Sequence, residues 1–243
     1  MAWGRFGGWQ LVAVGAVAAG VELPLAGSRW GFGHFDRLRM EGAMAQLQAG
    51  MNEQEAFDLV KEHNKDPFHL EHATTVCGVM KYFAAEFDPE NQEFWGVVGM
   101  LHDLDWEEHA DEPEKHTLYA APLIEAAGGT PELIRAVQSH CSDFNPQLPK
   151  PELFMEKVLF ATEELTGLIG AAVIMRPSKS VMDFEVKSLK KKFKDKRFAA
   201  GVNRDVITKG ADLLGWSLEE LFSRTIAAMQ SIAPDRGSFQ AED

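Results

Sequence analysis

From residue 52 onward apolar positions recur at three-and-four spacing, the pattern of helices buried along one face. Asn52 with Glu55 makes a capping-box start for a helix reaching about Glu62. A second helix is predicted from about Phe68 to Glu86, with Leu70, Ala73, Val76, Val79, Met80 and Phe83 as its apolar stripe. Asp88-Pro89 reads as an N-cap followed by proline at the first helical position. The helix it opens turns Phe94, Val97, Val98 and Leu101 inward and ends at His102-Asp103.

Thr130-Pro131 repeats the cap-then-proline signal and opens a helix ending near His140-Cys141. A long apolar helix is predicted from Lys150 to about Met175, stopped before Pro177. Three shorter ones follow, at about Phe184–Phe193, Val202–Leu214 and Ser217–Ile232, the last with a capping box of Ser217 and Glu220. Alternating strand-type runs and repeat periods are absent from the pattern. The expected fold class is therefore all-α, a helical domain over residues 51–232.

The first fifty residues depart from this pattern. They are rich in Gly and Trp and carry one apolar run, Leu11 to Val21, closed by Glu22 and too short to span a bilayer. Met51-Asn52-Glu53-Gln54-Glu55 resembles a natural protein start. Residues 1–50 are expected to be a poorly ordered or non-native extension, with an export signal as the alternative. Residues 233–243, polar and opened by Ala233-Pro234, are expected to fray.

Two cysteines, Cys77 and Cys141, cannot form a disulfide framework and fit a reducing cytoplasm. A net charge of -13 argues against nucleic acid as a partner, and no membrane association is expected. The charge is unevenly spread. Glu53 to Glu114 holds 17 acids, and Arg176 to Arg204 holds ten basic residues. An acidic half suits cations and a basic segment suits phosphate, although a solvated surface explains either alone.

Seven of the 8 histidines fall between His63 and His140. His72 lies beside an apolar stripe, where a buried histidine bonded to backbone is the ordinary reading. His102 and Asp103 follow an apolar helical face directly, where a chain turn can aim both inward. A buried carboxylate is costly unless paired or metal-bound, and Asp103 is able to bridge two ions. Asp105, Glu107 and Glu108 read as a solvated acidic turn, or as partners that orient a ligand. His116 is placed in the first turn of a helix after Pro113, and His140 near the end of the helix begun by Thr130. His109 reads as exposed, and His63 and His69 flank Pro67 in a loop. Cys141, beside His140, reads as a small packing residue with a soft ligand as the alternative. Glu163 and Glu164 interrupt an apolar helix, so at least one lies at the edge of its buried face.

The order His72, His102-Asp103, His116, His140 and an acid at Glu163 resembles that of the HD-domain metal-dependent phosphohydrolases. MLHDLDWE (Met100 to Glu107), ELTGLI (Glu164 to Ile169), RPSK (Arg176 to Lys179) and VKSLKKKFKDKRFAAGV (Val186 to Val202) resemble the short stand-alone bacterial members, over about residues 51–232. The resemblance implies a helical bundle with a central metal site. His72, His102, Asp103 and the late acid would hold one ion; His116 and His140, with Asp103 bridging, a second. The family's late acid is usually aspartate, so Glu163 is a departure. One or two divalent ions (Mn, Fe, Co, Ni, Mg or Zn) would activate water against a phosphomonoester or phosphodiester of a small, nucleotide-like substrate. His102, Asp103, His116 and His140 would form the catalytic core, and Arg176, Lys179 and one lysine of the run at Lys190 would grip phosphate. The rival readings are a regulatory domain that binds metal or nucleotide without turnover, and a di-iron oxygenase.

Overall fold

A computed structural model describes residues 46–233. Ten α-helices run in the order α1 (Glu53–His63), α2 (Pro67–Phe87), α3 (Gln92–Leu101), α4 (Trp106–His109), α5 (Ala120–Ala126), α6 (Pro131–Ser139), α7 (Phe154–Ile174), α8 (Val186–Lys194), α9 (Arg204–Leu214) and α10 (Leu218–Ile232). The described residues contain no strand. No helix among them is long and apolar enough to cross a membrane.

Local chemistry sets most helix starts. Asn52 and Glu55 complete a reciprocal capping box at α1, and Thr130 Oγ1 accepts from Leu133 N at α6. Asn203 and Ser217 cap α9 and α10. The start at Asp88-Pro89 differs from expectation. Pro89–Asn91 is a 3₁₀ turn, and the Asp88 carboxylate accepts from Asn91 Nδ2 and Trp95 Nε1 instead of capping the backbone. The long helix begins at Phe154 rather than Lys150. Pro149 and Pro151 disfavour helical backbone in the residues before them, and the Glu156 carboxylate accepts from Glu152 N and Leu153 N to define the first turn.

The two longest helices, α2 and α7, pack against each other and form the spine of the core. α3 lies along α2, closely enough that a Cβ added at Gly99 would stand 2.9 Å from the Val76 carbonyl oxygen. α9 lies along α7 in the same way, where a Cβ at Gly210 would stand 2.5 Å from Ala161 Cα. Both glycines permit backbone approach that any side chain would block. α10 closes the group over α2 and α7, with Phe222, Ile226 and Met229 buried. Each fully buried side chain of this size contributes about 1.5–3 kcal/mol.

The packed chain begins earlier than the boundary at residue 51. Leu47 N donates to Asn91 Oδ1, Thr130 reaches the carbonyls of Gln48 and Ala49, and Ala49 is buried. The rest of the expected extension, residues 1–45, lies outside the described residues. At the other end Ala233, expected to open the frayed tail, is buried in the core, and residues 234–243 lie outside the described residues.

Candidate metal centre

α3 and α6 end in the same way, each on a histidine. His102 follows Leu101 and His140 follows Ser139, both with helical backbone. His102 Nδ1 bonds the Gly99 carbonyl at 2.8 Å, and His140 Nδ1 bonds the Val137 carbonyl at 2.6 Å. Each ring thus satisfies a helix-end carbonyl that has no intrahelical donor. With Nδ1 donating, Nε2 carries the lone pair and points past the helix end.

The His102 Nε2 stands 3.2 Å from Nε2 of His72, which α2 supplies. Nitrogen lone pairs at that separation repel unless a proton or cation lies between them. Phe68, one turn earlier on α2, stacks parallel to the His72 ring. Asp103 sits between the histidine pairs. Its Oδ2 is 3.3 Å from His102 Nε2 and 3.7 Å from His72 Nε2. Its Oδ1 is 3.0 Å from His116 Nε2 and 3.9 Å from His140 Nε2. One carboxylate therefore addresses two groups of imidazoles with its two oxygens.

His116 differs from its expected position in the first turn of a helix. Pro113–Lys115 is a 3₁₀ turn, His116 follows it, and α5 begins only at Ala120. Asp105 fixes it there. This carboxylate, expected in a solvated turn, is fully buried; Oδ1 is 2.6 Å from His116 Nδ1 and Oδ2 accepts from Ala120 N. Such an outer carboxylate holds the ring's orientation and raises its basicity. Glu107 is also structural. It accepts from the Lys65 and Asp66 amides and meets His69 Nδ1 at 2.8 Å, tying the start of α2 to the turn after α3. His63 pairs with Glu108, and His109, expected to be exposed, is half-buried and stacked on Tyr119.

The donor atoms fall into two groups, His72–His102–Asp103 and His116–His140–Cys141, each within 4.8 Å. Tetrahedral ligands at zinc-like bond lengths stand about 3.4–3.6 Å apart. The separations above, 3.0 to 3.9 Å, bracket that value. Both groups could hold a metal ion.

Burial and close charges shift these groups in different directions. Burial and the neighbouring imidazoles lower His72 to about 4 and His140 to about 3, so both are neutral near pH 7, as ligands must be. Burial opposes ionisation of Asp103, but His102 and His116 hold its carboxyl well below the usual range. Burial opposes the charge of His116 too, yet Cys141, Asp103 and Asp105 raise it well above the ordinary value.

His72, Asp103, His116, His140 and Cys141 line one pocket with Phe68, His69, Trp106, Phe144, Glu163, Glu164 and Gly167, and His102 is fully buried behind them. Both adjacent glutamates reach it from α7. Burial raises Glu163 well above the carboxylate range and Glu164 to about 7. The basic residues expected to grip phosphate are not there. Arg176 and Lys179 lie past the end of α7, more than roughly 15 Å beyond Glu163 by helix rise. Arg176 is paired with Asp183 and Lys190 with Glu219. Sequence spacing concealed this, because a 21-residue helix carries its two ends far apart. No Lys or Arg is among the described residues that line the pocket.

Comparison with family models, with curated proteins and with solved structures finds no match.

Proposed function

We propose that the chain is a divalent-metal-dependent phosphoester hydrolase of the HD-domain type. The observation that supports this most directly is the placement of Asp103, one oxygen toward His72 and His102, the other toward His116 and His140. Helix-end and outer-carboxylate bonds fix three of the four imidazoles beforehand, so little reorganisation is needed on binding. Divalent cations held there would activate water and neutralise charge on phosphoryl oxygens.

The protein's own groups divide the remaining work. His72, His102 and Asp103 hold the first position, and His116 and His140 with Asp103 the second. Glu163 completes the first position in this reading. Glu164, raised to about 7 and lining the pocket, exchanges a proton with the leaving oxygen near neutral pH. With no Lys or Arg among the described residues of the lining, bound cations would supply the charge that holds the phosphoryl group, and Phe68, Trp106 and Phe144 would meet the remainder of a small substrate.

The test is metal analysis combined with a screen of phosphomonoesters and phosphodiesters across Mn, Fe, Co, Ni, Mg and Zn. Phosphate release that needs metal and disappears in Asp103→Asn is expected. Stoichiometric metal with no release across the panel would leave a binding domain.

One observation favours a second reading. A pocket lined by Phe68, Trp106 and Phe144, with no Lys or Arg among its described residues, also suits oxygen chemistry at a di-iron site. Oxygen consumption and a visible charge-transfer spectrum in the iron-loaded protein separate it from a hydrolase.

A further inference from the structure

Cys141 occupies a position that packing alone does not account for. It follows His140 in the turn after α6 and is 1% exposed. Its Sγ is 3.2 Å from His140 Nε2, the nitrogen left free by the ring's bond to Val137. The same thiol lies within 4.8 Å of a ring nitrogen of His116. It also lines the pocket, beside Asp103 and Phe144. The protein's other cysteine, Cys77, is equally buried but faces Glu53.

We propose that Cys141 is a metal ligand, completing the second position as a His116–His140–Cys141 set closed by Asp103 Oδ1. This rests on the two-cation reading above and adds to it. The four donor atoms supply two nitrogens, one sulfur and one oxygen. Their separations, 3.2 Å for His140 Nε2 to Cys141 Sγ and 3.0 and 3.9 Å from the imidazoles to Asp103, suit a tetrahedral ion.

The sulfur makes the two positions chemically unequal. His72, His102, Asp103 and Glu163 offer only nitrogen and oxygen. The second position carries a soft ligand, which favours zinc, cobalt or ferrous iron over magnesium and manganese. Binding there releases the thiol proton to solvent as the metal–sulfur bond forms, with no change of oxidation state.

Cobalt(II) titration of the folded, reduced full-length chain tests this, because a cobalt–thiolate bond gives a near-ultraviolet charge-transfer band and imidazole or carboxylate ligation does not. The band should grow with one of two bound equivalents. It should persist in Cys77→Ala and vanish in Cys141→Ala. Cys141→Ser keeps the side chain's size and should also lose the band while retaining first-position metal. Zinc affinity at the second position should fall by more than about tenfold, the loss caused even by removing an outer partner. A band that survives Cys141→Ala, or is lost in Cys77→Ala, overturns the assignment. Two equivalents of cobalt bound without a band overturn it and leave the two-cation reading standing. No cobalt bound by folded protein overturns both.

Discussion

Asp103 turns one oxygen toward each histidine pair. Asp103→Ala is therefore expected to empty both positions, measured as metal per chain after dialysis. Full metal content in that variant would remove the basis of the site. Asp105 acts one shell further out. Asp105→Asn keeps a hydrogen-bonding group against His116 and Ala120 but loses the charge. It should weaken the second position by about 10–100-fold while sparing the first, read by calorimetric titration. Equal loss at both positions would show a general folding defect instead. The two glutamates give a third comparison. If Glu163 is the ligand from α7, Glu163→Gln should weaken the first position, and Glu163→Asp should preserve it because charge is kept. Glu164→Gln should leave metal content unchanged. Loss from Glu164→Gln alone would move the ligand by one residue. His72, His102 and Asp103 could be picked out in the sequence because they border apolar stripes, whereas His116 and His140 stand out by their order along the chain. Asp105 could not, since an acid in a run of acids looks solvated; its only signal is its place between Leu104 and Trp106, both buried. Cys141 gave no signal beyond adjacency to His140.

At the scale of elements, the helices were legible because their starts are written in local chemistry. Asn52, Thr130 and Ser217 cap where a capping residue should. The departures occur where a side chain finds a stronger partner than the backbone. Asp88 turns to Asn91 and Trp95, and His116 is held by Asp105 in a loop. That Arg176, Lys179 and Lys190 do not line the pocket has a different origin. Distance between ends of a helix is invisible to a motif, and complementary charge does not say which surfaces meet. Packing between elements is where the site's precision arises. His72 comes from α2 and His102 from the end of α3, so their spacing depends on how closely those helices approach at Gly99. Gly99→Ala would press a methyl against the Val76 carbonyl at 2.9 Å and Cys77 Cα at 3.0 Å. The expected cost is about 1–3 kcal/mol of stability, from overpacking against backbone that has no room to yield. First-position affinity should fall as well, since His72 and His102 are driven apart. Chemical denaturation together with metal titration checks both, and an unchanged affinity would show that the site tolerates the shift.

For the whole molecule, the pocket concentrates groups whose ionisation opposes folding, and a bound cation should relieve that conflict. In the pocket burial raises Glu164 to about 7 and Glu163 is raised further by its neighbour; outside the lining, burial raises Glu71 to about 7 as well. A carboxyl raised in the fold contributes stability that is present at low pH and lost as pH rises through its folded value. His116, raised above its ordinary value, behaves with the same sign: its contribution is complete below about 6.5 and lost above. His72 and His140, lowered to about 4 and 3, act oppositely, but only below their ordinary value of 6.5. Between pH 4.5 and 6.5 the two sets offset one another. Above about 6.5 only the destabilising set still titrates, so metal-free protein should lose stability from there to about pH 8. Each proton that the fold retains and the unfolded chain has already lost corresponds to about 1.4 kcal/mol of lost stability per pH unit. Metal binding moves the other way, since ligands must shed protons to bind and affinity rises with pH. The gap in melting temperature between zinc-loaded and chelated protein should therefore widen steadily from about pH 6 to pH 8. Glu164→Gln should flatten part of the metal-free decline, because it removes one of the buried ionisations while leaving the proposed ligands intact. Thermal melts in chelator and in excess zinc, run across that range on both proteins, give the answer. A gap that stays constant or narrows with pH would mean that the buried acids and the cation positions are not linked.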